Sequence, residues 1–256
     1  MRRGAGLWAG AAALMALSAA AQDGRAAQDG RAAALGEVVA ARFAQPTGRY
    51  AHGVFGDPLE WGALVMALGP CTGCAPPRLR QVTIKLPQAR VFEDTEARVA
   101  DLDGDGHNEV IVVETDVQRG ASLAIYDASG KRAATAFIGQ SHRWLAPAGV
   151  GDFDGDGRIE IAFVDRPHLT RELVFLRYDR GALSEIARAA GFTNHRFGDA
   201  RISGGLRRCG GRDSLILATA DWARRVEVTL QGGVPQVADL GPLSRVQDLG
   251  AALVCP

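Results

Sequence analysis

Residues 99–127 read VADLDGDGHNEVIVVETDVQRGASLAIYD, and residues 150–179 read VGDFDGDGRIEIAFVDRPHLTRELVFLRYD. The two stretches are offset by 51 residues, from Asp101 to Asp152, and follow one order. An acidic, glycine-rich loop leads into a β-branched run, Val110 to Val113 or Ile161 to Val164. After a polar turn, a second apolar run ends in Tyr126-Asp127 or Tyr178-Asp179, and a turn at Gly130 or Gly181 leads to a weaker third strand. Short β-branched runs bounded by turn residues predict strands. Repetition at this period predicts stacked multi-stranded units.

A third unit follows with its loop changed. His195-Arg196-Phe197 echoes His142-Arg143-Trp144, Leu215 to Ala218 take the place of Ile161 to Val164, and Val226 to Leu230 form the next strand before Gly232-Gly233. Leu206, Arg208 and Gly210 stand near the acidic positions, so the strands persist without the carboxylates. Upstream, Leu64 to Leu68 and Val82 to Leu86 predict a hairpin whose loop carries Cys71 and Cys74, while residues 34–43 suggest one or two helical turns. Units of 40–50 residues that bury their faces only against neighbours predict an all-β fold, a small β-propeller of about four blades. The expected division is 46–90, 91–140, 141–190 and 191–245, with a closing strand over 246–256. An open sandwich of repeated hairpins is the competing architecture.

The loops carry the chemistry. Asp101, Asp103 and Asp105 occupy positions 1, 3 and 5, His107 offers its carbonyl at position 7, and Glu109 sits at position 9. Asp152, Asp154, Asp156, the carbonyl of Arg158 and Glu160 repeat the set. Four carboxylates within nine residues repel one another unless a cation lies among them, and hard oxygen donors select Ca2+ over zinc or copper. A metal-free solvated turn would need only one or two Asp. An EF-hand opens with the same spacing but requires a bidentate Glu at position 12, where this chain has Val112 and Phe163, and it requires flanking helices.

DLDGDGHNEVIVV and DFDGDGRIEIAFV resemble the calcium loops of FG-GAP or VCBS repeats, which occur in integrin α-subunit propellers and in exported bacterial proteins. The resemblance spans residues 90–240 and is degenerate in the third unit, where Leu206 and Arg208 replace acids. It implies a propeller whose loops each hold one calcium ion through the ten residues just named. Phe55-Gly56 and Phe197-Gly198 are faint remnants of the motif that gives the family its name.

Arg2-Arg3, the apolar run Leu7 to Leu17, and Ala19 and Ala21 read as a signal peptide over 1–21 with Gln22 as the mature N-terminus. The duplicated AQDGRA that follows reads as part of a flexible leader over 22–45. Export places the four cysteines where disulfides persist. Cys71-x-x-Cys74 is a redox pair or a small looped disulfide; the absence of a surrounding βαβ pattern favours the disulfide, leaving Cys209 to pair with Cys255. The apolar run is too short for a stable membrane span. With 29 basic and 29 acidic residues, nothing in the charge points to nucleic acid.

No nucleophile elbow, zinc-protease motif, P-loop or dinucleotide fingerprint is present. The expectation is a non-enzymatic periplasmic or secreted module, braced by calcium, that binds a protein or glycan. The alternative is a hydrolase or lyase acting on a polysaccharide or phosphoester, using His142, Arg143 and His195. A repeat-encoded packing role competes for those same residues, and Trp61 and Trp222 are expected to fill gaps between blades.

Overall fold

The computed structural model describes residues 36–69 and 80–255. The expected signal peptide, the AQDGRA repeats, Cys71 and Cys74 lie outside the described residues. The fold is all-β. The strands are β1 (Val38–Thr47), β2 (Glu60–Leu68), β3 (Arg80–Lys85), β4 (Arg90–Phe92), β5 (Arg98–Ala100), β6 (Glu109–Asp116), β7 (Gly120–Asp127) and β8 (Gly130–Ala134). They continue as β9 (Leu145–Gly151), β10 (Glu160–Asp165), β11 (Glu172–Asp179), β12 (Ala182–Ala190), β13 (Phe192–Thr193), β14 (Gly205–Cys209), β15 (Arg212–Thr219), β16 (Arg224–Gln231) and β17 (Val234–Pro242). A short helix, α1 (Gln247–Ala251), follows.

Each repeat is an antiparallel meander. β9 to β12 form a four-stranded sheet in sequence order. In the third unit β13 and β14 share one edge of β15, which continues to β16 and β17. In the first unit β4 and β5 likewise share an edge of β6, followed by β7 and β8. The predicted hairpin is β2 with β3, pairing Met66 with Val82, and Trp61 opposite Phe92 joins it to the first repeat.

The β-branched runs are continuous because their strands are buried on both faces, and the period of two sorts their side chains between neighbouring sheets. On β6, Val110 and Val112 pack towards Leu64, Met66 and Phe92, while Ile111 and Val113 pack towards Ile161 and Phe163. On β10, Ala162 and Val164 turn the other way, to Leu215 and Leu217. Ile216 and Ala218 of β15 meet Leu249 of α1. Sheet therefore stacks on sheet along the chain, the β-propeller-like arrangement that the repeats predicted. Each Val, Leu, Ile, Met or Phe side chain among them taken from water stabilises the stack by about 1.5–3 kcal/mol.

Two expectations are corrected. Residues 38–43, within the stretch read as helical turns, belong to β1, and this strand reaches into the stretch read as leader. The apolar β2, antiparallel to it along Ala40–Thr47, offers a hydrogen-bonding edge that a short isolated helix lacks. The expected closing strand over 246–256 is instead helix α1 and a turn. Leu249 is buried against Ile216 and Ala218 of β15, and Ala252 and Leu253 pack on the same cluster, a helical spacing that gathers them on one face. Among the described residues no helix is long and apolar enough to cross a membrane.

Candidate metal centre

Each acidic loop connects two adjacent antiparallel strands, β5 to β6 and β9 to β10. Position 2 anchors it. Leu102 is 2% exposed and Phe153 is fully buried, each seated in the core between adjacent sheets. Glycine is required inside the loops, where Gly104, Gly106, Gly155 and Gly157 all have φ between +74° and +85°.

The backbone aims the first carboxylate. The N–H groups of Gly104 and Gly106 donate to Asp101 Oδ1 and Oδ2 at 2.8 and 3.0 Å. Those of Gly155 and Gly157 donate to Asp152 at 2.7 and 2.9 Å. The glutamate at position 9 is held from the loop's other side: Leu102 N–H donates to Glu109 Oε2 at 2.9 Å and Phe153 N–H to Glu160 Oε2 at 3.0 Å.

As a result Asp101, Asp103 and Glu109 bring one oxygen each within 4.8 Å of one another, and Asp152, Asp154 and Glu160 do the same. Asp105 and Asp156 stand outside these trios; each accepts the N–H of position 7, from His107 and Arg158, at 2.8 Å. His107 and Arg158 are themselves exposed.

In the first loop the Oδ1 of Asp103 is buried without a hydrogen-bond partner. A buried anionic oxygen left unpaired is costly, and a calcium ion among the trio would satisfy it, so the donor set fits a hard cation. Burial, with the charges of Asp103, Asp105 and Asp101, pushes Glu109 up to about 8. Asp103 is also raised, by burial and by Asp105. Glu160 is raised by burial too, against the downward pull of Arg177.

The second loop contains a group that sequence reasoning missed. The Arg177 guanidinium donates through Nε to Glu160 Oε1 at 3.0 Å and lies 3.0 Å from Asp156 Oδ2 and 3.2 Å from Asp154 Oδ2. A basic residue inside the apolar run LVFLRY was its only signal. Asp213 was also missed; its Oδ2 accepts Asp152 N–H at 3.1 Å, tying the third unit to the second loop. In the third unit the acidic loop is replaced by a two-residue turn, Gly210-Gly211, with both φ positive and Cys209 opposite Arg212. Cys209 is disulfide-bonded to Cys255, as expected.

His142, Arg143 and His195 do not converge as a trio. His195 is fully buried, and its two ring nitrogens contact the Asp199 carbonyl at 2.8 Å and His168 at 3.1 Å. His142 is exposed and stacks on Tyr50 with ring centroids 5.0 Å apart. Arg143 donates to the His142 carbonyl. Trp144 packs in the core and donates to the Glu93 carbonyl at 2.8 Å, whereas Phe197 is 60% exposed. His52 and His168 nevertheless join this ring cluster, with His52 2.5 Å from the fully buried Glu93. Trp61 stacks on Phe43, and Trp222 carries Arg196 over its ring at 4.4 Å.

Residues 101–163 match the FG-GAP-like repeat. No curated protein matches the chain significantly. Among solved structures it is similar to the Bacillus licheniformis rhamnogalacturonan lyase PL11, at 19% identity and TM-score 0.38, covering 69% of this chain and 42% of that one. It is similar to the rhamnogalacturonan lyase YesW at 17% identity and TM-score 0.37, covering 72% and 43%. A protein from Lactobacillus plantarum matches at 12% identity and TM-score 0.33, covering 72% and 54%. The chain spans less than half the length of the two lyases.

Proposed function

We propose that this chain, which carries an FG-GAP-like repeat at residues 101–163, is an exported calcium-braced module that presents a face to a protein or glycan partner. One observation carries the metal half: three carboxylates converge in each loop, and the first loop keeps a buried, unpartnered Asp103 oxygen. Asp101, Asp103 and Glu109 would hold one ion, with Asp105 and the His107 carbonyl completing its shell. Asp152, Asp154, Asp156, Glu160 and the Arg158 carbonyl are the second set. Bound calcium would neutralise repelling carboxylates and lock the turn between adjacent strands, a structural role. The disulfide Cys209–Cys255 supports an oxidising location, periplasmic or secreted.

Calcium titration followed by thermal unfolding tests the metal. At a hundredfold excess over Kd, binding adds about 2.7 kcal/mol of stability, a rise of about 8 °C for a chain of this size. Asp103→Ala should remove a large part of that rise. A parent protein whose melting temperature ignores calcium would end the proposal. The binding half is tested by titrating candidate glycans and by cross-linking from periplasmic extract, with an unrelated propeller as control.

A further inference from the structure

The second acidic loop carries a cation of its own. The β10–β11 register sets Arg177 directly across from Glu160. Its guanidinium reaches three of the loop's four carboxylates: Glu160 through Nε and Nη2, Asp154 through Nη2 and Asp156 through Nη1. The Arg177 side chain is only 15% exposed and the Glu160 carboxylate is fully buried. The fourth acid, Asp152, gives both oxygens to the glycine N–H groups of its own loop.

This contact is built by the strands. In the first repeat the residue that precedes the Tyr-Asp pair, as Arg177 does, is Ile125, fully buried among apolar neighbours. The hairpins also differ in register: Ile161 faces Leu176, whereas its repeat equivalent Val110 faces Tyr126. The second hairpin's shift of two residues brings a charged position opposite the metal-loop glutamate.

We infer that Arg177 and a divalent cation compete for the second loop, so that calcium enters there only by displacing the guanidinium. A cation at Asp154 and Glu160 would stand where Nη2 donates, and two positive groups cannot share those oxygens. Arg177 thereby sets the calcium threshold of this loop. It neutralises the acids at low calcium and is released towards solvent when the ion arrives. The inference rests on the calcium reading above.

Isothermal titration with calcium alone, on the full chain, decides it. Arg177→Gln, made in an Asp103→Ala background to report the second loop, should tighten calcium binding by tenfold or more, and adding Asp154→Ala should abolish that gain. In chelator, Arg177→Gln alone should melt below the parent, and calcium should restore the difference. If calcium binds the parent but Arg177→Gln leaves second-loop affinity unchanged, the competition is wrong and the calcium reading stands. If neither protein binds calcium, both fall.

Discussion

The carbonyl oxygen of Gly198 lies 2.6 Å from the position a Cβ on Gly56 would occupy. Gly198 N–H also donates to the Val54 carbonyl at 2.9 Å, so a turn before the first repeats is seated on the third unit. Two Phe-Gly pairs separated by most of the chain thus form one closure contact. Gly56, at φ +85°, has no room for a side chain and adopts a conformation that disfavours one.

Gly56→Ala should therefore cost about 3 kcal/mol, the sum of left-handed backbone strain and a backbone clash. Gly53→Ala is the control: at φ +67° its nearest atom is 3.6 Å away, so it should lose only about 1 kcal/mol. Urea unfolding compares them. Equal losses would show that the contact with Gly198 contributes nothing.

Glu60, at 3% exposure, is pushed up to about 9 by burial and by the charges of Glu93, Asp57 and Asp94. The folded state keeps its proton where the unfolded chain has lost it, so stability declines as pH rises from about 4.5 towards 9. Glu60→Gln should be near neutral at pH 5 and stabilising at pH 8, by an amount on the order of a few kcal/mol. A variant effect that does not change with pH would contradict the assignment.

His168 shifts the opposite way. Burial, then the neighbouring His195 and His52, lower it to about 4. Between pH 6.5 and 4 the unfolded chain takes up a proton that the folded chain refuses, so this contribution is whole above pH 6.5 and is lost on acidification. Relative to His168→Gln, the parent should lose about 1 kcal/mol between pH 7.5 and pH 5. Parallel pH profiles for the two proteins would rule this out.

The Cys209–Cys255 bridge closes a separation of 46 residues. Cys255→Ser should cost about 3–4 kcal/mol through the freed unfolded chain. Release of α1 should follow, because the bridge ties the chain after α1 to Cys209 of β14, and without it only the packing of Leu249 on Ile216 and Ala218 holds the helix. Hydrogen exchange over 246–253 reports that release separately from the global loss. Unchanged protection there would mean the helix holds by packing alone.

Much of this protein was written locally. The D-x-D-x-D spacing with Glu eight residues on, and the continuous β-branched runs, depend on neighbours in the chain, so the acidic loops and the repeat strands were legible before any fold was known. The expected disulfide between Cys209 and Cys255 was legible for a similar reason, since few pairings were open. Residues 38–43 were misread because that segment takes its form from β2, its hydrogen-bonding partner, and Val246 to Cys255 because the face of β15 selects a helix there.

Other features belong to register and stacking alone. Arg177 stands across from Glu160 only because the second hairpin is shifted by two residues relative to the first, and the pairing of Glu93 with His52 joins segments 41 residues apart. Charges brought together through hydrogen-bonded strands leave no spacing to read. The amino-acid sequence therefore determined which residues could bind a cation, and the tertiary structure decided which of them already have one at hand.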